Sequence, residues 1–343
     1  MANKNRTLCY KEVETMSHTE LGAHPSLCHL TKPCAQIDHV LACVNGDASS
    51  EAVLQHACAL ATAFSARLSL LQVLEVSVSQ EPMDPVEWTL HHYDKLEYLD
   101  RCLSDIKEVS AEAVIVAGRA GESIISWSQE HGATLIVLGR GAQHARLGDT
   151  ARRVVEGAQA SVLLVPSQAM LNPSHAYERL LIPLDGSCRA ECALPLGLRL
   201  AAKSHSTLLI IHAAPHSDLI ERDRLNGHAS SLREQLYRHN EAAAQRYLDE
   251  LRSRLPEQIQ VSLHILPSAD ARCALLTTTH QHALDLVVLS ATGKSGHGDM
   301  LLGSVADYLI HRLDVPVLLV RQAQPKMAAQ DNIQTLRRPG QGM

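Results

Sequence analysis

The sequence predicts an α/β fold: two tandem, doubly wound parallel sheets within one chain. Three observations carry this prediction. Two stretches of the 343-residue chain align with each other, "HVLACVNGDASSEAVLQHACALATAFSARLSLLQVLE" from His39 and "RLLIPLDGSCRAECALPLGLRLAAKSHSTLLIIHAAP" from Arg179. Each reads as a short apolar run, a turn, a helical pattern and a second apolar run. The runs are apolar throughout instead of alternating, as strands of a parallel sheet buried on both faces must be.

The first strands are expected at 40–44 and 180–184. In the second copy Ala193, Leu196, Leu198 and Ala201 recur near helical spacing before "STLLIIHA" returns to strand character, which makes a βαβ unit. Further on, "ATLIVLGRG" aligns with "LDLVVLSATG", and "GDTARRVVEGAQASVLLVP" with "GSVADYLIHRLDVPVLLVR". Each closing piece is a helix followed by a final strand, 162–165 and 317–320. A period of about 140 to 155 residues far exceeds a solenoid unit, so the repeat is a duplicated domain. The expected domains are 37–166 and 177–321, joined by the Pro-, Ser- and Asn-containing "PSQAMLNPSHAYE" from Pro166. The ends, 1–36 and 322–343, lack sustained periodicity and are expected to be mobile. The second copy also carries "SSLREQLYRHNEAAAQRYLDELRSRL", where Leu232, Leu236, Ala243, Tyr247 and Leu251 form an apolar stripe. A helix flanking the sheet is the simpler reading, and a partner-binding helix is the alternative. "EPMDPVEWTLHHYDKLEYL" occupies the same place in the first copy, with Trp88, Tyr93 and Tyr98 read as local packing.

Composition narrows the function. With 31 Lys and Arg against 37 Asp and Glu, the net charge of −6 argues against broad binding to nucleic acid or anionic lipid. One Phe and two Trp leave few platforms for stacking bases. No apolar run approaches the roughly 18 residues of a membrane span. The N-terminal stretch has no signal-peptide core, so a cytoplasmic protein without membrane insertion is expected. The nine cysteines include no C-x-x-C pair and read as reduced, mostly buried thiols. Cys188 and Cys192, four residues apart, are expected on a helix behind the first strand, as small apolar residues and not as metal ligands. The 20 histidines show no ligand pair beside an acidic partner and read as surface residues.

In a doubly wound sheet a ligand lies beyond the carboxyl ends of the strands, where strand order reverses. Two loops of the second copy should meet there. In "PLDGS", Asp185 ends the first strand; its carboxylate either accepts from an exocyclic amine or closes an Asx turn before Gly186. The other loop is "LSATGKSGHGDMLLGSVADYL" from Leu289. Its Gly293-Lys294-Ser295 matches the tail of a P-loop, but that pattern requires a glycine where Val288 stands. What remains is Gly293, nine intervening residues and Gly303-Ser304, which opens a helix continued by Val305, Leu309, Ile310 and Leu313. Glycines admit close backbone approach, a helix start offers unpaired amides and a favourable dipole, and the serine adds a donor. That chemistry suits phosphate, although a glycine-rich loop with an ordinary serine cap accounts for the same residues. Lys294 and His297 in this loop either neutralise a phosphate or are solvated.

These residues resemble the universal stress protein family in its tandem form. The family signature G-x-x-G, nine residues, G-[ST] reads here as Ser290-Ala291-Thr292-Gly293, nine residues, Gly303-Ser304. The resemblance spans roughly 37–166 and 177–321 and includes Asp185 and the closing "VPVLLVR". It implies two five-stranded sheets of the adenine nucleotide α-hydrolase-like type, paired through their final strands as a pseudo-dimer within the chain. It also implies ATP, with Mg²⁺ accompanying the phosphates. Carried over residue by residue, Asp185 meets the adenine, Ala213 lines the nucleoside, Gly293, Gly303 and Ser304 hold the phosphates, and Val305 completes the set of implied site residues. Ser290 departs from the first glycine of the signature. The first copy departs further: Asn45 stands at the Asp185 position, Ala142 replaces the second glycine, the loop is several residues shorter, and Asp149 replaces Ser304. A carboxylate facing phosphate in low dielectric repels it, which outweighs a hydrogen bond of about 1 kcal/mol. The resemblance thus implies an ATP-binding regulatory protein with one site, in the C-terminal domain. The alternative is a scaffold whose two sites are both vestigial. "LDGSCRA" lacks the S-G-G-x-D-S loop of related hydrolases, so an enzyme is not expected. Homo-oligomers and the identity of a protein partner stay open.

Overall fold

The computed structural model describes residues 11–12, 36–47, 49–75, 85–141, 146–171, 177–215, 227–268, 270–293 and 302–321. The tails expected to be mobile, together with Lys294 and His297, lie outside these residues, apart from 11–12 and Gln36.

Eleven strands form one sheet in the order β1-β9-β8-β7-β10-β11-β6-β5-β2-β3-β4. The N-terminal half contributes β2 (His39–Cys43), β3 (Arg67–Glu75), β4 (Ala111–Gly118), β5 (Leu135–Gly139) and β6 (Ser161–Val165). The C-terminal half contributes β7 (Arg179–Leu184), β8 (Thr207–Pro215), β9 (Val261–Ser268), β10 (Leu286–Ser290) and β11 (Val317–Val320). Within each half every pairing is parallel, and strand order reverses between β2 and β5 and between β7 and β10. A two-residue strand, β1 (Lys11–Glu12), pairs antiparallel with the outer strand β9.

The halves meet where the apolar final strands predict they should. β11 runs antiparallel to β6, with Val317 opposite Leu164, Leu318 opposite Leu163 and Leu319 opposite Val162. All six are buried. Joining them removes two apolar edges that would otherwise offer unpaired N–H and C=O groups to other chains. Both faces of the sheet carry an apolar layer drawn from both halves. One face is covered by α1 (Ser49–Phe64), α2 (Pro85–Asp105), α5 (Leu194–Ser204) and α6 (Gly227–Arg254). The other is covered by α3 (Ala120–Glu130), α4 (Asp149–Gly157), α7 (Ala271–Gln281) and α8 (Ser304–Arg312). α1 and α5 touch across the seam, where Arg199 donates to the Phe64 carbonyl at 3.1 Å and lies 5.3 Å from the Phe64 ring centre.

The duplication is visible in local detail. α1 and α5 both end on a left-handed residue, Ser65 and His205, each with φ of 53°. The following amides reach back to close the helix, Ala66 to Ala61 at 2.8 Å and Ser206 to Ala201 at 3.0 Å. This is the usual way to satisfy terminal carbonyls, made here without glycine. The turn after each first strand needs a positive φ as well, supplied by Gly46 (81°) and Gly186 (76°).

Several expectations change in register or exposure. On α6 the buried stripe is Ala244, Leu248 and Leu251 with Tyr247 partly buried, while Ala243 is exposed. The stripe lies one residue further on because a 3.6-residue period through Leu251 selects 244 and 248 over 243. The side chains of Leu232 and Leu236 lie outside the described residues. Tyr93 is 65% exposed, Tyr98 packs against the core, and the side chain of Trp88 lies outside the described residues. Cys188 lies exposed in a turn, and Cys192 is half-buried in the 3₁₀ helix Ala190–Ala193 that precedes α5. The thiols are less buried than expected: of those described, Cys43, Cys58, Cys102 and Cys192 are half-buried, and Cys188 and Cys273 exposed.

Not all histidines are at the surface either. His39 hydrogen-bonds Ser69 Oγ at 2.7 Å beneath Trp127. His56, on α1, is 1% exposed and ties the connecting segment to the N-terminal half. Its Nε2 lies 2.8 Å from the Ala169 carbonyl, which only accepts, so Nε2 carries the proton. Nδ1 then accepts from the Tyr177 hydroxyl at 2.8 Å. With Leu171 N donating to Gln55 Oε1 at 3.0 Å, the described part of the linker is docked.

Burial pushes the His56 imidazole down from 6.5 to about 4. The unfolded chain therefore takes up a proton that the folded chain refuses. The stabilisation is complete above pH 6.5 and is lost as pH falls towards about 4, a difference of roughly 3 kcal/mol. Urea unfolding at about pH 6.5 and about pH 4.5 should show a fall in wild-type stability that is clearly smaller in His56→Gln. His39, also lowered by burial, contributes to what remains. Equal falls in both proteins would place the proton uptake elsewhere.

Candidate functional site

The carboxyl ends of β7, β8 and β10 lie side by side at the point of strand reversal. Leu184 pairs with His212, so Asp185 and Ala213 each lie one residue further along neighbouring strands. Asp185 Oδ1 accepts from Ser187 N at 3.0 Å and Ser187 Oγ at 2.6 Å, closing the Asx turn that its sequence allows. The other oxygen faces the glycine loop: a Cβ built on Gly293 would clash with Asp185 Oδ2. Gly293 thus leaves the space that the carboxylate occupies, and the two loops meet as the sequence predicts. Gly186, at the turn, faces His212 Cε1, which a Cβ would meet at 3.5 Å.

Gly303 returns the chain to the same point. Its amide donates to the Ala291 carbonyl at 2.7 Å, and a Cβ on it would lie 3.6 Å from Gly293 N. It is also the N-cap of α8, with extended φ of −77° and ψ of 153°. Ser304 is the exposed first residue of that helix and Val305 the half-buried second. Asp185, Gly293, Gly303 and the start of α8 therefore converge, with Ala213 on the adjoining strand end. A helix N-terminus with glycine at its cap presents amides to an anion. The connecting loop 294–301 lies outside the described residues.

Ser290, where the family signature has glycine, turns its hydroxyl back on the Thr292 carbonyl at 2.7 Å and accepts from Cys192 Sγ at 3.5 Å. Its Oγ is thereby engaged within its own loop. Below it, Glu191 is buried and accepts from Tyr247 Oη at 3.0 Å and Arg254 Nη2 at 3.1 Å, fastening α6 over the turn that carries Asp185. Burial, with the Glu191 carboxylate beside it, raises the Tyr247 phenol above its ordinary range. Residue types alone gave no signal for Ser187, Glu191 or Cys192, whose roles depend on which loops become neighbours.

The N-terminal half shares the frame and differs in its groups. Gly148 N donates to the Arg140 carbonyl at 2.9 Å, as Gly303 does to Ala291. Gly141, at φ of 107°, lies so close to Gly148 that a Cβ would be 2.8 Å from its amide nitrogen. Asn45 is drawn into its own turn, with Nδ2 donating to Asp47 at 2.8 Å and Oδ1 accepting from Ser50 Oγ at 2.9 Å. Lys95 on α2 reaches the Asn45 carbonyl at 3.4 Å. Asp149 puts a carboxylate at the start of α4, 3.6 Å from Arg152. A negative charge there stabilises the helix itself and opposes a bound anion. Ala142 lies outside the described residues. Among the described residues no group of three or more His, Cys, Asp or Glu is arranged to hold a metal ion, and no helix is long and apolar enough to cross a membrane.

Comparison with known proteins agrees with this division into halves. The profile of the universal stress protein family matches residues 36–166 and again 176–321. A universal stress protein of Mycobacterium bovis is 26% identical over 221 residues, covering 63% of this chain and 71% of that protein. One from Mycobacterium tuberculosis is 24% identical over 256 residues, covering 71% and 81%. Among solved structures, a universal stress protein from Archaeoglobus fulgidus superposes with a TM-score of 0.63 at 20% identity, over 84% of this chain and 100% of that one. A protein of unknown function from Pseudomonas aeruginosa superposes with a TM-score of 0.61 at 19% identity, over 84% and 94%. At these identities the superpositions establish the fold.

The contact between Gly293 and Asp185 can be tested without any ligand. Gly293 has no positive φ, so alanine is conformationally acceptable there, and only the carboxylate obstructs it. Gly293→Ala should destabilise the chain by about 1 kcal/mol, and the same change made in Asp185→Ala should be neutral or stabilising. A double-mutant cycle by urea unfolding measures the difference; a coupling near zero would separate the two residues.

Proposed function

The chain belongs to the universal stress protein family, and on that premise we propose that it is an ATP-binding regulatory protein with one nucleotide site, in its C-terminal half. The working units are 37–166 and 177–321. The observation that carries the reading is the convergence of Asp185, Gly293 and Gly303 at the start of α8, where a side chain at 293 would displace the carboxylate. ATP supplies an adenine amine to be accepted and a triphosphate to be held. Asp185 suits the first, since a carboxylate oxygen engaged with Ser187 keeps further lone-pair sites. Gly293, Gly303, Ser304 and Val305 suit the second, by close backbone approach and the amides of a helix start. Ala213 borders the space between them. Mg²⁺ would arrive with the phosphates.

The N-terminal half is the internal control. It has the same loop base, yet carries Asn45 for Asp185, Asp149 for Ser304 and a shorter loop. These differences favour a single site over two, and a regulatory role for the pair over a two-site carrier.

Isothermal titration with ATP and Mg²⁺ should give one site per chain. Ser304→Asp should weaken binding by well over tenfold, about 1.4 kcal/mol, by placing at α8 the charge that α4 already has. Asp149→Ser should create no second site. Two equal sites, or one site indifferent to Ser304→Asp, would refute this assignment, and no uptake of ATP would favour a scaffold.

A further inference from the structure

Two arginines cross the seam between the halves in opposite directions. Arg140 directly follows β5 in the N-terminal half, between Gly139 and Gly141, and is 6% exposed. Its guanidinium donates to the carbonyl of Leu313, the C-cap of α8 in the other half, and lies 4.0 Å from Asp314. Arg321 directly follows β11 and donates to the Val155 carbonyl, in the last turn of α4 of the N-terminal half. Each half thus caps the final helix of the other. The last carbonyls of a helix lack partners within it and form the negative end of its dipole, so a buried guanidinium satisfies both needs. Burying such a charge is costly unless it is held in one geometry, and burial lowers the pKa of both arginines.

The two capped helices share a glycine N-cap, Gly148 and Gly303, but are not equivalent: α4 begins at Asp149, whereas α8 begins at Ser304, where the proposed phosphate cradle lies. α8 has nine residues, about 13 Å, short enough to move as one rigid piece. We propose that Arg140 is a positioning residue for the C-terminal site: the N-terminal half, which lacks the groups for a nucleotide of its own, uses its glycine loop to hold the helix that opens the other half's site. This rests on the nucleotide reading above. It gives the degenerate half a function, that of setting the affinity of its partner domain. Coupling of this kind is reciprocal, so nucleotide at the start of α8 should in turn tighten the seam at its end.

Arg321 provides the control, because it makes the same kind of contact to a helix that opens no proposed site. In the full chain, Arg140→Met and Arg321→Met should both lower the melting temperature. Only Arg140→Met should weaken ATP binding, by about fivefold or more, and Arg140→Lys, which keeps a cationic donor, should recover part of the loss. Amide hydrogen exchange without nucleotide should quicken along α8 in Arg140→Met and along α4 in Arg321→Met. Equal loss of ATP affinity in both Met variants, or unchanged exchange in α8, would overturn the proposal. If the wild-type chain takes up no ATP, the nucleotide reading falls, and the exchange of α8 still decides whether Arg140 holds that helix. If Arg140→Met does not fold, Arg140→Lys carries both measurements.

Discussion

The pairing of β6 with β11 is the contact on which the rest of the molecule depends. Each is a short apolar strand that would be a sheet edge if its half stood alone, and an apolar edge invites uncontrolled pairing. Set antiparallel, with three buried residue pairs in register, they turn two sheets into one and let both faces carry apolar layers shared by the halves. The direction of the pairing has a geometric consequence. Strands are parallel within each half and antiparallel across the seam, so the carboxyl ends of the two halves point to opposite sides of the sheet. The loop after β5 therefore lies beside the far end of α8. Arg140 reaches Leu313 because the seam puts them together, and a parallel seam would separate them.

The same geometry keeps the two carboxyl-end loop clusters apart and lets them diverge. Their backbone frames match to the level of individual hydrogen bonds: an amide at each final helix cap returns to the residue that follows the fourth strand of its half. Helix stops and first turns match as well. The divergence is confined to side chains and loop length. In the C-terminal half the turn carboxylate faces a glycine; in the N-terminal half Asn45 is absorbed into a network with Asp47 and Ser50 beneath Lys95. The fold tolerates this because the apolar layers and the seam supply its stability, leaving the carboxyl-end loops free to change.

Much of the architecture could be read directly from the residues. Apolar runs such as "DLVVLS" and "SVLLV", repeated at one spacing, are enough for parallel strands, duplication and pairing of the final strands, because burial on both faces demands that composition. The meeting of Asp185 with Gly293 followed from strand reversal, a property of topology that the order of elements encodes. Structure and sequence differ over exposure and register. Periodicity favours Ala243 where Ala244 is buried, helical spacing suggests a helix at Cys188 where the chain makes a turn, and composition gives no sign that His56 is buried. One position on a helix shifts the face by about 100°, which residue spacing alone does not resolve.

The sequence alone thus determined the fold class, the duplication and the loops that carry candidate chemistry, since each is written in local composition and repeats along the chain. Tertiary structure alone decided which side chains answer one another across distant segments: His56 with Tyr177, Glu191 with Arg254, Ser290 with Cys192 and Arg140 with the end of α8. Arginine after a strand has no pattern that distinguishes a solvated charge from a cap on another domain's helix. The difference is made by what the seam brings within hydrogen-bonding distance, and by the exclusion of water that makes such a contact matter.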